Sequence, residues 1–328
     1  VLAALPVLDL RADPDRLRED LRRAAHEVGF FYLTGHEVPA GLSGRVFAAA
    51  RRLFALPAAA KDAVAMVRSP HFRGYTRMGG ERTGGEVDWR EQIDIGPERA
   101  VIAGAGGPDY LRLEGPNQWP AALPELPGLI AEWDAALSAV GRTLLRHWAA
   151  SLGSPADVFD AAFADTPATL IKLIRYPARA SSAQGVGAHR DPGVLTLLLA
   201  EPGSRGLQVR PAGWRDWIDA PPVEGAFIVN IGELLEVATG GYLRATEHRV
   251  DLDVAAAERI SLAYFFNPRL DASIPTLPLP DDLAARARVV ADPANPMYPV
   301  YGRNLWKARL RAHPDVAAAH GYLGGPSR

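Results

Sequence analysis

Cysteine is absent from all 328 residues, which removes disulfides, thiolate metal sites and cysteine nucleophiles at once. Lysine is almost absent too. Lys61, Lys172 and Lys307 are the only ones among 36 basic residues, so the positive charge is nearly all arginine in an alanine-rich chain. That pattern fits coding bias, and it makes an isolated Arg weak evidence of function. Long apolar runs are also missing. The opening "VLAALPVLDL" has no basic stretch before it, is interrupted by Pro6 and is too short to span a bilayer, so it reads as a first strand of a cytoplasmic protein. No Met precedes Val1, and residues ahead of it are left open. The net charge of −2 offers no bulk attraction to nucleic acid or to an anionic membrane. What is present is ordinary for a globular protein: 48% hydrophobic and 23% charged residues, enough for a substantial core.

Two kinds of pattern divide the chain. Residues 13–29, "DPDRLREDLRRAAHEVG", open on Asp and Pro, carry Leu17, Leu21, Ala24 and Ala25 at helical spacing and stop at Gly29. "FFYLTGH" follows as an aromatic strand, then a helix through "GLSGRVFAAARRLFAL". Residues 69–116 show little periodicity and are expected to form a long irregular excursion that shapes a site. A long amphipathic helix is predicted over residues 122–153. From Thr169 to Pro268 short strands alternate with Gly and Pro turns: "LIKLIRYP", "GAHRDPGVLTLLLA", "GLQVRP", "DWIDAPP", "AFIVNIG", "EHRVDL" and "RISLAYFFNP". Such punctuation predicts an antiparallel sandwich or jelly roll. The expected organisation is one domain, 1–328, mainly β with α elaboration. It comprises a helical and loop region 1–168, a core 169–268, and a segment 269–328, helical from Tyr298 to His320, packing back on that core.

Within the strand-rich half, "GVGAHRDPGVLTLLLA" places His189 and Asp191 two residues apart beside an apolar run. On a strand both would face inward while Arg190 faces away. An unpartnered pair of this kind in a dry interior costs several kcal/mol, so something must compensate. A simple His–Asp hydrogen bond at a loop edge is one answer. The same spacing recurs at His313 and Asp315, where Pro314 argues against a central strand, so spacing alone decides little. A third ligand would change that, because two His and one carboxylate leave open positions on a non-heme iron. Of eight His, His26 and His147 fall in helices, His36 on the early strand, His71 in the irregular segment and His313 and His320 in the tail. His248 falls on a late strand, where a structural role is the competing reading.

Further on, Arg259 and Ser261 repeat the two-residue spacing in "ERISLAYFFNP", with Phe265 and Asn267 on the same face. A buried guanidinium needs an anion, and no Asp or Glu shares that strand face, which points to a ligand carboxylate. A surface Arg on an edge strand is the alternative.

Taken together these residues resemble the isopenicillin N synthase-like branch of the Fe(II)- and 2-oxoglutarate-dependent dioxygenases. The likeness runs through "LPVLDL", "GFFYLTGH", "RGYTRMGGERT", "RYP", "GAHRDPGVLTLLL", "GLQV", "VNIGELLEVATGGYLRATEHRV", "RISLAYFFNP" and "HPDVAAAHG". It implies a double-stranded β-helix (jelly roll) core flanked by helices. It also implies Fe(II) on His189, Asp191 and His248, with 2-oxoglutarate and O2 as cosubstrates. Arg259, Ser261 and Tyr176 would surround the distal carboxylate of 2-oxoglutarate. Two positions depart from the family pattern. Ile174 stands where plant relatives often have Asn, and Ala245 stands where Ser or Thr is usual.

The expected reaction is hydroxylation, desaturation or cyclisation of a small molecule, a step of secondary metabolism. Three other readings stand beside it: a 2-oxoglutarate-independent iron oxidase, a Zn hydrolase on the same triad, and a non-enzymatic jelly-roll binder. Phe72, Arg73, Tyr75, Gln92, Phe265 and Trp306 are the candidates for the substrate wall. Arg73, just before "GY", hints at a carboxylate-bearing or amino-acid-derived substrate. Oligomeric state is left open.

Overall fold

The computed structural model describes residues 4–102, 107–165, 167–178, 182–255, 257–288, 293 and 295–322. Strand β1 (Val7–Asp9) leads into helix α1 (Pro14–Glu27), whose start is fixed by the Asp13 carboxylate accepting from the amides of Asp15 and Arg16. Strand β2 (Phe30–Thr34) and helices α2 (Ala40–Phe54) and α3 (Ala58–Asp62) follow. Then come β3 (Gly74–Thr76), β4 (Glu81–Thr83), β5 (Glu86–Asp88), β6 (Glu91–Ile95) and the long helix α4 (Leu126–Ser151). The strand-rich half holds β7 (Leu170–Tyr176), β8 (Gln184–His189), β9 (Leu195–Ala200), β10 (Leu207–Arg210), β11 (Ile218–Asp219) and β12 (Phe227–Ile231). Helix α5 (Glu233–Ala238), β13 (Glu247–Asp251), α6 (Leu252–Ala255) and β14 (Arg259–Phe266) complete it. The chain closes with α7 (Asp281–Ala284), α8 (Tyr301–Ala312) and α9 (Pro314–Ala319).

Two sheets form a jelly roll. The larger runs β1-β2-β12-β9-β14-β7-β6-β3, the smaller β11-β10-β13-β8. Alternation along the strands sorts the side chains between two apolar layers. One face of the large sheet gives Phe31, Leu33, Leu197, Phe227, Val229, Leu262, Tyr264 and Phe266 to the core it shares with Leu21 of α1, Val46 of α2 and Trp133 and Trp148 of α4. The other face gives Phe30, Tyr32, Ile174, Tyr176, Ile228 and Ala263 to a core that includes Val186, Leu207, Val209 and Val250 of the small sheet. The functional groups lie along this second layer.

Residues 69–116 depart from the irregular excursion expected of them, since β3 to β6 fall inside this segment. All of β6 is buried, including Gln92 and Asp94 at 0% exposure. Its apolar period is hidden because those polar side chains are neutralised by partners rather than by water: Gln92 donates to Asp94, and Arg309 and Lys172 reach the Asp94 carboxylate at 2.5 and 3.3 Å. Because β6 pairs with β7 from Glu91↔Arg175 to Ile95↔Ile171, the large sheet runs without a break across the expected 168/169 boundary. Glycines at 84 and 85, both with positive φ, make the two-residue turn of the β4–β5 hairpin.

A His-Asp-His cluster beside a cavity

His189 is the last residue of β8, and it sits directly across from His248 of β13. Asp191 is not on the strand, as the two-residue periodicity had suggested. Pro192 follows it, and the chain turns between β8 and β9. Other contacts aim its carboxylate. The Thr196 hydroxyl and the Asn230 amide donate to Oδ2 at 2.6 and 2.8 Å, and the Glu233 amide donates to the Asp191 carbonyl at 2.8 Å. Oδ1 is thereby turned toward the two rings, 3.5 Å from Nε2 of His189 and 3.7 Å from Nε2 of His248. One ligand atom from each residue falls within 4.8 Å of the others. Arg190 also differs from expectation: it lines the cavity, free of strand alternation because β8 has already ended.

The chemistry of this donor set suits a divalent metal. Nδ1 of His189 bonds the Gly187 carbonyl at 2.8 Å and Nδ1 of His248 bonds the Thr246 carbonyl at 3.1 Å, which leaves Nε2 of each ring facing Asp191. Such outer bonds fix ring tautomer and orientation for metal ligation. Burial pushes His248 down to about 4, with the positive charge of a protonated His189 acting the same way. Burial works against ionisation of Asp191, but the two imidazoles and the Thr196 hydroxyl outweigh it and hold the carboxyl well below the usual range. A carboxylate anion and a neutral imidazole are the forms that bind metal.

From this cluster opens a cavity of about 340 Å³. Ile174 and Tyr176 of β7, Ala263 and Phe265 of β14, and Leu305 and Ala308 of α8 form much of its wall. Gly193 is required beside the cluster, because a Cβ there would lie 2.0 Å from the Asn267 Oδ1 that accepts from the Val194 amide. Along β14 the inward row is Arg259, Ser261, Ala263 and Phe265, of which Ala263 and Phe265 line the cavity and the first two continue the row under Tyr176 and Ile174, their partners on β7. Arg259 stacks on Tyr176, its guanidinium carbon 4.5 Å from the ring centroid. Although Arg259 is 3% and Ser261 1% exposed, Arg259 Nε and Ser261 Oγ have no hydrogen-bond partner. Orphaned buried donors in a row leading from a metal-competent cluster suit a carboxylate ligand.

The candidate substrate wall is only partly brought together. Phe265 lines the cavity; Phe72, Arg73, Tyr75, Gln92 and Trp306 are not among the described residues that do. Phe72 and Trp306 pack on each other and on Tyr322. Arg73 is buried, donates to the Leu113 carbonyl at 3.3 Å, and is pushed down to about 10 by burial and by neighbouring Arg309. Tyr75 bonds Glu91, and Gln92 bonds Asp94. Residues that sequence reasoning missed take their places: Glu81, Arg90 and Lys172, held together by buried ion pairs, and Arg190 and Glu233 beside the cluster. Burial raises Glu233 to about 7. Arg90 and Arg190 lie between strands, Glu233 opens a short helix and Glu81 sits on a three-residue strand, so no periodic pattern singled these out.

Comparison with known proteins supplies the family. Residues 5–122 match the model of the non-haem dioxygenase in morphine synthesis N-terminal region, and residues 168–268 match that of the 2OG-Fe(II) oxygenase superfamily. The chain is 33% identical to the 2-oxoglutarate-dependent dioxygenase frbJ of Dothideomycetidae sp. (strain 11243), covering 95% of this chain and 90% of that one. It is also 33% identical to the homoarginine-6-hydroxylase 2-ODD-C23 of Glycine max, over 84% of this chain and 88% of the relative. Among solved structures, JOX2 in complex with 2OG, Fe and JA superposes with a TM-score of 0.72 at 25% identity, covering 96% of this chain and 89% of that one. Of the four readings weighed above, the relatives share the first. The chain belongs to the 2OG-Fe(II) oxygenase superfamily and is a non-heme Fe(II)- and 2-oxoglutarate-dependent dioxygenase.

Proposed function

We propose that Nε2 of His189, Nε2 of His248 and a carboxylate oxygen of Asp191 hold the iron, and that Arg259, Ser261 and Tyr176 hold the distal carboxylate of 2-oxoglutarate. The substrate is a small carboxylate-bearing, amino-acid-derived metabolite bound in front of Phe265. The observation that carries this reading is the three clustered ligand atoms together with the unpartnered donors of Arg259 and Ser261 on β14, whose inward row continues to Phe265 at the cavity wall. Bound iron supplies O2 activation coupled to decarboxylation of 2-oxoglutarate to succinate. The chain supplies the rest. Thr196 and Asn230 keep Asp191 in one orientation, Arg259 fixes the cosubstrate through a charged fork, and Ile174, Ala263, Phe265 and Leu305 exclude water from the reacting end.

The substrate class is supported by two facts. One relative is named for hydroxylating homoarginine, an amino acid. Basic side chains also line the cavity beyond those paired with Glu81 and Asp94, among them Arg82 and Arg190, which draws an anion toward the metal. Oxygen uptake by the Fe(II) enzyme, with and without 2-oxoglutarate, across a panel of free amino acids, N-acyl amino acids and their amides tests both parts. Uptake is expected only with 2-oxoglutarate and is stimulated by members that carry a free carboxylate. Stimulation by amides and acids alike would overturn the substrate class, and uptake independent of 2-oxoglutarate would overturn the cosubstrate site.

A further inference from the structure

Tyr176 is bordered by two arginines rather than one. Arg90, in the short connection between β5 and β6, is 8% exposed and lines the same cavity as Tyr176 and His189. One side of its guanidinium is fixed: Nη2 donates to Glu81 Oε2 at 2.8 Å, with Asp88 Oδ2 at 3.4 Å. The other side reaches the Tyr176 side chain, while Nε is buried without a hydrogen-bond partner. The phenol oxygen of Tyr176 neighbours both the Arg90 and the Arg259 guanidinium groups. Glu81 is shared, since Lys172 Nζ lies 2.9 Å from its Oε1.

An orphaned Nε alone does not mark a ligand contact, since buried Arg73 has one too; Arg90 differs in lining the cavity beside Tyr176. Here Arg90 Nε and Arg259 Nε are orphaned on two arginines that neighbour one tyrosine, and Ser261 Oγ is orphaned opposite Ile174, which has no polar side-chain atom to serve it. We propose that Arg90 is a second guanidinium contact for the distal carboxylate of 2-oxoglutarate, acting with Arg259 on either side of Tyr176. This assignment rests on the cosubstrate seat given under Proposed function. Glu81 is then the positioning residue that holds Arg90 at the cavity wall, and the carboxylate is gripped from β14 and from the β5–β6 connection together.

The test compares two keto acids that differ only at the distal end: 2-oxoglutarate, and 2-oxopentanoate with a methyl group in place of the carboxylate. Their dissociation constants are measured by calorimetry on the anaerobic Mn(II)-loaded protein for wild type, Arg90→Gln, Arg90→Lys and Arg259→Gln. Arg90→Gln is expected to weaken 2-oxoglutarate about 10- to 100-fold and to leave 2-oxopentanoate within about twofold. Arg90→Lys keeps the Glu81 ion pair, and it too should lose part of the preference, since one ammonium cannot reproduce the fork. It is the variant that decides if Arg90→Gln does not fold. Equal weakening of both keto acids, or an unchanged preference in either folded variant, would overturn the proposal and leave Arg90 a structural ion pair. Should Arg259→Gln also keep the wild-type preference, the cosubstrate seat itself is misplaced, an outcome distinct from failure at Arg90 alone.

Discussion

His189 and His248 face each other as direct partners on β8 and β13, with ring centroids 4.2 Å apart and each Nδ1 tied to the backbone carbonyl two residues before it. Neither ring can turn without breaking that bond, so the two nitrogens offered to Asp191 are set by the backbone itself.

Metal affinity should therefore respond to the groups that orient the one proposed anionic ligand. Thr196→Val removes the 2.6 Å hydrogen bond to Asp191 Oδ2 and is expected to weaken Fe(II) binding about 10- to 100-fold. Asp191→Ala should lower it further and abolish turnover. Asp315→Ala, in the same H-x-D spacing but at the start of α9, should change neither. Equilibrium dialysis with Fe(II) measures all three, and equal binding by wild type and Asp191→Ala would sink the ligand assignment.

Arg259→Gln keeps a donor but loses charge and fork, at an expected cost of about 2–4 kcal/mol, or about 30- to 1000-fold in 2-oxoglutarate affinity. Tyr176→Phe removes one neutral hydrogen bond and should cost about 0.5–1.5 kcal/mol. Titrating 2-oxoglutarate into the anaerobic Fe(II) enzyme and following the metal-to-ligand charge-transfer band gives both values, and iron binding should be unaffected.

Phe265 lies on the cavity wall, six residues along β14 from Arg259 and on the same face. Phe265→Ala is expected to lower the ratio of oxidised product to succinate more than it lowers succinate formation. A ratio equal to wild type would make Phe265 a packing residue only.

Glu81, which is buried, ties Arg90 and Lys172 together. Burial opposes its ionisation, but those two cations outweigh it and hold the carboxyl well below the usual range. A depressed folded value means that its stabilisation is complete above the ordinary glutamate range, about pH 4.3, and is lost as pH falls through that range toward the folded value. Glu81→Gln should destabilise the protein at pH 7 by about 3–5 kcal/mol by leaving buried cations unpaired, and should flatten the acid limb of the stability profile. Urea unfolding from pH 3 to 8 measures both effects, and a variant as stable as wild type at pH 7 would show that the cations find other partners.

The strand-rich half was legible because apolar alternation and Gly and Pro turns repeat at short intervals from β7 to β14. Helix α5 was not read as a helix, since "GELLEVATGG" is too short to show a period. Strands β3 to β6 were hidden for a different reason: Glu81, Asp88, Gln92 and Asp94 look like solvent-facing residues until partners such as Lys172 of β7, Gln184 of β8 and Arg309 of α8 are in place. In the site, the convergence of His189, Asp191 and His248 followed from their spacing and from the family resemblance. Thr196 and Asn230 did not, because they reach Asp191 across β9 and β12, and sequence distance says nothing of that pairing. Arg73 meets a backbone carbonyl, a contact that an arginine in a motif does not announce in sequence.

The interleaved order of the large sheet also governs how the chain can be made. Phe30 of β2 finds its partner only when Asn230 of β12 has been synthesised, and β6 only when β7 has emerged. For most of translation, β2 is a hydrophobic edge with no neighbour on one side, exposed to wrong pairing and to chaperones. Contacts this distant in sequence are expected to slow folding. A fragment beginning at residue 169 would carry all three proposed iron ligands yet leave β12 and β7 with bare edges, so the catalytic half should be recovered from cells only when the first 168 residues are supplied, in the same chain or as a co-expressed piece.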